Sequence, residues 1–192
     1  MLNVYQECPS FENEKYKIRF LSQADWKELL RVYSDKKSVP FFNSDNCGGD
    51  DFYYTSEKKM KEAINYWLFE YERKGFVRWC IKDKRKNIII GTIEIFHRTS
   101  DDFFTHCALL RLDLRSDYEK KQRIKDILSL ILTPALSLFC CDKIATKAIP
   151  EAIERRAALE ELGFYLSKEK LIGHQGEIYD SYFVLKEENL KS

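Results

Sequence analysis

Three β-rich runs follow one another with no helix between them: FVRWCIK (76–82), NIIIGTIEIFHR (87–98) and HCALLRLDLR (106–115). β-Branched and aromatic residues dominate them. DKRK (83–86) makes a tight turn, so the first two runs form an antiparallel hairpin. In the third, Leu110, Leu112 and Leu114 face one side, and Leu109, Arg111 and Asp113 the other. It leads into DYEKKQRIKDILSLIL (117–132), where Ile124, Ile127, Leu128, Ile131 and Leu132, with Ala135 beyond, keep a helical period. KIATKAI (143–149) is a further strand. A meander ending in one strand–helix–strand crossover restricts the chain to an α+β (mixed α/β) fold with a mostly antiparallel sheet.

The flanks extend this order. YKIRFL (16–21) alternates as a strand, and Ser22 caps a helix carrying Trp26, Leu29, Leu30 and Tyr33. NSDNCGGDD (43–51) is turn chemistry. A second helix runs from Thr55, through Met60, Ile64, Trp67, Leu68 and Tyr71, towards Gly75. Pro134 should kink or end the helix that follows the third β run. PEAIERRAALEELGFY (150–165) is a helix with Pro150 at its start and Gly163 at its stop. YLSKEKLI and IYDSYFVLK close the chain as two strands. The expected order is β-α-α-β-β-β-α-β-α-β-β, about seven strands and four helices.

The chain has 192 residues, enough for one domain with a substantial core. Hydrophobic residues are 44% and charged residues 33%, a globular composition. With 32 basic and 31 acidic side chains the net charge is +1, without the basic bias of nucleic-acid binders. No apolar run reaches membrane-spanning length, and the N-terminus lacks the pattern of a secretory signal. The six cysteines form no C-x-x-C pair and no zinc spacing. We expect reduced thiols, a cytoplasmic protein, no metal, no nucleic acid and no membrane partner.

The residues IRFLSQAD, IIIGTIEIF, LRLDLRSDYEKKQRIKDIL, EELGFY and YDSYFVLK, in this order and spacing, resemble the GNAT (Gcn5-related N-acetyltransferase) family. The nearest type is that of the ribosomal-protein N-acetyltransferases (RimJ/RimL-like). The resemblance covers residues 15–187 as one domain, with a lead-in at 1–14 and a tail at 188–192. It implies a cleft for acetyl-CoA as co-substrate, with the coenzyme diphosphate at the N-terminus of the third helix. Free N–H groups and the helix dipole favour an anion there. It also implies an acceptor that is a small-molecule amine or a protein N-terminus, and often a homodimer.

The family loop at this helix reads roughly [RQ]-x-x-G-x-[GA]. Here Glu119 stands for the first residue, Gln122 for the glycine and Ile124 for the small residue. Only Lys121 matches a basic position common in the family. Two accounts are open: Lys120, Lys121, Arg123 and Lys125 bind the phosphates with side chains, or the coenzyme contact is degraded. The coenzyme-binding candidates are therefore Leu112, Leu114, Lys120, Lys121, Gln122, Arg123, Ile124 and Lys125. In the last long helix, the family's Asn, which helps hold the pantetheine arm, and the Ser three residues on are Ala152 and Arg155. A tyrosine acid found in some branches is replaced by Leu159.

Three residues are candidate general bases. Glu94 interrupts an apolar strand, where a carboxylate is either outward-facing or functional. Asp113 is either a base or the partner of Arg111. His106, near the start of its strand, is either a base, as the imidazole's chemistry allows, or an exposed surface residue. Phe41, Phe42, Phe52, Tyr53 and Tyr54 form the candidate acceptor pocket, with Asp45, Asp50 and Asp51 placed to attract a cation. The expected function is acetyl transfer from acetyl-CoA to a primary amine. The alternative is a GNAT-like binding module that has lost the donor.

Overall fold

A computed structural model describes residues 4–190 of the chain. The strands are β1 (Phe11–Glu12), β2 (Tyr16–Phe20), β3 (Val77–Asp83), β4 (Ile88–Arg98), β5 (Cys107–Leu114), β6 (Lys143–Lys147), β7 (Tyr165–Leu166), β8 (Leu171–Ile172), β9 (Ile178–Tyr179) and β10 (Tyr182–Lys186). The helices are α1 (Trp26–Tyr33), α2 (Glu57–Glu72), α3 (Lys121–Leu128), α4 (Leu132–Phe139), α5 (Ile153–Glu161) and α6 (Glu187–Leu190). Eight strands form one sheet in the order β1-β2-β3-β4-β5-β6-β10-β7, and β8 and β9 form a separate ribbon. β5 and β6 are the parallel pair; the other neighbours are antiparallel. The expected α+β architecture is present, with more short elements than the sequence patterns separate.

Alternation along the strands sorts the two faces. Val77, Trp79, Ile81, Ile93, Ile95, Leu110, Leu112 and Leu114 pack with Ile124, Ile127, Leu128, Leu132 and Ala135 of α3 and α4. On the other face, Cys80 and Ile89 pack with Leu29, Val32, Tyr33, Met60, Ile64 and Trp67 of α1 and α2. Ile124 and Ile127 are fully buried, each stabilising by roughly 1.5–3 kcal/mol relative to exposure.

Three boundaries differ from the sequence patterns. The described part of the lead-in, from residue 4, belongs to the fold: β1 pairs with β2, Val4 is buried in the core, and Pro9 accepts a hydrogen bond from the Trp79 indole at 2.9 Å. The single helix expected after β5 is two, α3 and α4, broken over residues 129–131. Pro134 has no N–H for the carbonyl of Leu130, and its ring excludes a regular turn there. The chain instead tightens, with Leu130 and Ile131 donating to Ile127 and Leu128. α3 begins at Lys121, because Ser116–Tyr118 form a 3-10 turn first.

Candidate functional site

β5 pairs with β6 only over Cys107–Leu110, and then runs on to Leu114 without a β6 partner. A parallel pair that parts leaves unpaired backbone groups on the strand, and such groups need partners when buried. Here the partner is a side chain. Arg155 on α5, 2% exposed, donates from Nη1 to the carbonyls of Leu112 (2.9 Å) and Phe41 (3.0 Å). Its Nε reaches Glu119 Oε2 at 3.3 Å, and its Nη2 pairs with Glu119 Oε1. Glu119 is 7% exposed, so the ion pair is buried and its donors are directed at four acceptor atoms.

The N-terminus of α3 is occupied in the same way. The free N–H of Lys121 donates to Glu154 Oε2 at 2.8 Å, which places a carboxylate at the positive end of the helix dipole. Lys120 pairs with Glu154 at 3.5 Å, Lys121 with Glu161 at 2.6 Å, and Lys125 also with Glu161. Hydrogen bonds from Lys121 and Lys125 pull the Glu161 carboxyl down to about 2. The Lys121 N–H likewise holds Glu154 below the usual carboxylate range. Arg123 donates to the Asp117 carbonyl at 2.8 Å and lies 4.7 Å over the Tyr118 ring, and Gln122 bonds Asp126 at 2.8 Å. The cations of this loop are thus engaged with the protein's own acceptors. Leu112, Leu114 and Ile124 point into the core between sheet and helices.

The resemblance implies acetyl-CoA along this groove, and these side chains do not fit it as they stand. Arg155 fills the gap between β5 and α5, and Glu154 takes the N–H that a phosphate would use. Three carboxylates, Glu119, Glu154 and Glu161, stand where an anion would have to arrive.

The other face of the same strands floors a cavity of about 1060 Å³. Arg78, Glu94 and Arg111 stand directly across β3, β4 and β5 from one another and line it. Glu94 Oε2 pairs with Arg78 Nη2 and Glu94 Oε1 with Arg111 Nη1 at 2.7 Å. Arg78 Nη1 also reaches Asp113 Oδ2 (3.0 Å), Tyr33 Oη (2.7 Å) and Thr92 Oγ1 (3.1 Å). Its guanidinium lies 4.1 Å over the Trp67 ring, and Arg111 lies 5.5 Å over Phe96. Burial pushes the Glu94 carboxyl up, and the two arginines more than offset it, so it is held below the usual range. Walls of Phe52, Tyr54, Phe76 and Phe96 carry Asp50, Glu62 and Asp102 with them.

The loop at residues 43–50 ties this cavity to the far strands. Asp45 receives Lys147 Nζ at 2.8 Å on both oxygens and Tyr182 Oη at 2.9 Å, and its carbonyl accepts from Arg111 at 2.8 Å. Among the described residues no group of three or more His, Cys, Asp or Glu side chains is placed to hold a metal ion. Among them, no helix is long and apolar enough to cross a membrane.

The structure brings some of the sequence candidates together and separates others. Glu94 lies on the cavity floor with both oxygens taken. Asp113 is buried beneath it, accepting from Tyr33 (2.7 Å) and Arg78, with Oδ1 lacking a partner in the protein. His106 is exposed just before β5 and is not itself part of the cavity lining, although its ring is edge-on at 5.8 Å to His97, which is. Phe52 and Tyr54 line the cavity, while Phe41, Phe42 and Tyr53 do not. Phe42 packs on Tyr33 at 5.3 Å, and the Phe41 carbonyl belongs to the Arg155 cluster. Sequence reasoning missed Arg78 and Trp67, and it read Glu119 and Arg155 as two separate departures. The signal was available: one departure is acidic, the other basic, and both fall on the groove that the resemblance assigns to the coenzyme.

No family model matches the chain. Solved structures do share its architecture. RimJ of Mycobacterium smegmatis, in complex with CoA-disulfide, superposes with a TM-score of 0.73 at 15% identity over 96% of this chain and 90% of that one. A GNAT-family acetyltransferase from Bacillus anthracis gives 0.68 at 17% identity, over 94% and 99%. Spermidine N-acetyltransferase from Vibrio cholerae, in complex with CoA and spermine, gives 0.66 at 14% identity, over 94% and 100%. The long sheet with its parting β5–β6 pair, the helix that starts at the gap, and these superpositions together establish that the chain has the GNAT acetyltransferase fold.

Proposed function

We propose that the chain is an acetyltransferase of the GNAT type acting on a primary amine held in the cavity under α2, with its donor groove closed at rest. One observation carries this reading. Two consecutive residues at the end of β5 that β6 leaves serve the two sites: Arg111 lines the cavity, and the Leu112 carbonyl faces the groove. A donor in the groove and an amine in the cavity would therefore meet across a single strand. The neighbours support the reaction class, since they include a spermidine N-acetyltransferase and a ribosomal-protein-S5-alanine acetyltransferase. Asp50 and Glu62, with the aromatic walls, suit a cationic amine at the cavity mouth. Of the three candidate bases, Glu94 serves in this arrangement to hold two arginines, and Asp113 keeps one oxygen without a protein partner.

A second reading is favoured by the closed groove: a binding module whose ligand occupies the cavity alone. Breaking a buried ion pair costs about 3–5 kcal/mol, a factor of roughly 10²–10⁴ in donor affinity. The deciding experiment incubates the full chain with radiolabelled acetyl-CoA and a panel of polyamines, amino-acid amides and N-terminal peptides. Label transfer to any amine supports the transferase. Amine binding by calorimetry without transfer supports the binding module.

A further inference from the structure

We propose that Glu119, Glu154 and Arg155 form an intramolecular latch that occupies the donor groove, and that a coenzyme can enter only when this latch is released. The inference rests on the transferase reading above for the identity of the incoming molecule, and on three contacts for the latch itself.

The first contact is at the helix end. Glu154 Oε2 accepts the Lys121 N–H at 2.8 Å, satisfying one of the donors that an α-helix start leaves free. A phosphate would compete for that N–H against a tethered carboxylate. The second is in the gap. The Arg155 guanidinium bonds Leu112 O and Glu119 at once, so it closes the space between β5 and α5. The third links the groove to the loop before α2. Arg155 also donates to the carbonyl of Phe41, which ties the turn at residues 39–41 to the same guanidinium.

Adjacent residues of α5 thus perform complementary tasks. Glu154 presents an anion to the end of α3, and Arg155 presents a cation to Glu119 beside it. The latch consists of side chains, so its release leaves the backbone gap intact. The partly exposed Glu154 can swing out, whereas Arg155 and Glu119 must exchange a buried pair for solvent or for a ligand's own charges. A coenzyme entering the gap has to displace both side chains from it.

The test titrates coenzyme A and, separately, inorganic pyrophosphate into the full chain by calorimetry. The proteins are the wild type, Glu154→Ala, and the charge-balanced pair Arg155→Ser with Glu119→Gln. Released latches are expected to bind coenzyme A at least tenfold more tightly than the wild type, and Glu154→Ala alone to tighten pyrophosphate several-fold. Wild type binding coenzyme A as tightly as both variants would overturn the latch and leave the transferase reading standing. No binding by any folded variant at millimolar coenzyme would overturn both. Should the double variant not fold, the Glu154→Ala comparison decides by itself, because that side chain is 46% exposed and its loss leaves the core untouched.

Discussion

Arg155 donates from Nη1 to the carbonyl of Leu112 at 2.9 Å, across the gap where β5 leaves β6. Its other arm pairs with Glu119, so a single buried guanidinium completes the sheet edge and neutralises a carboxylate. Arg155→Ala should destabilise the fold by about 3–5 kcal/mol, because Glu119 is left buried without its partner. Arg155→Met with Glu119→Leu should cost much less. Urea denaturation of the two proteins checks this; equal losses would show that the pair is not coupled.

Glu94 is the shared anion between Arg78 and Arg111. Its removal leaves two buried cations with Asp113 as the remaining neighbouring carboxylate. Glu94→Ala should cost about 3–5 kcal/mol, and Glu94→Gln, which keeps the hydrogen-bonding shape, should cost less. The ordering of the two denaturation midpoints is the measurement, and a Gln variant as unstable as Ala would count against the ionic role.

Trp67 is buried with its ring 4.1 Å from the Arg78 guanidinium. Trp67→Ala should lose about 3–5 kcal/mol through the void it leaves. Trp67→Phe retains an aromatic face and should lose considerably less. Thermal melts of both variants, with tryptophan fluorescence as a separate monitor of packing, provide the check.

The contacts between α3 and α5 respond to acid. The Glu161 carboxyl is lowered to about 2 by its hydrogen bonds to Lys121 and Lys125, and that of Glu154 is lowered by the Lys121 N–H. Depressed folded-state values mean the stabilisation is present above the ordinary value near 4.5 and is lost as pH falls through the folded value. The stability gap between wild type and Glu161→Gln should therefore be constant near neutrality, shrink below about pH 4.5, and vanish near about pH 2. Denaturation at a series of pH values measures it. A gap that persists at the acid end would mean the lysine pairs do not set it.

Much of the fold was legible in the residues themselves. Leu110, Leu112 and Leu114 announce the core face of β5, and Ile124, Ile127 and Leu128 the face of α3 that covers it, because period two and period 3.6 are local properties. Ser22, Gly163 and the DKRK turn mark ends for the same reason. Pro134 marked a disruption in the helix after β5, and its missing N–H and ring sterics place the break a turn earlier. The short strands β7, β8 and β9 were not separable, since two-residue strands carry no period to read.

The sites were legible only in part. The family resemblance pointed to the groove, and the charges at 119–125 to something unusual in it. Whether those cations face a ligand or the protein's own acids depends on α5 lying beside α3, more than thirty residues on in the chain. Likewise Glu94 reads in sequence as a lone carboxylate, and only the sheet register sets Arg78 and Arg111 on either side of it. Local sequence determined the strands, the helices and their buried faces, because backbone propensity and side-chain periodicity act over a few residues. Tertiary structure decided which charges meet, because ion pairing is a matter of distance in space and burial removes the water that would otherwise screen it.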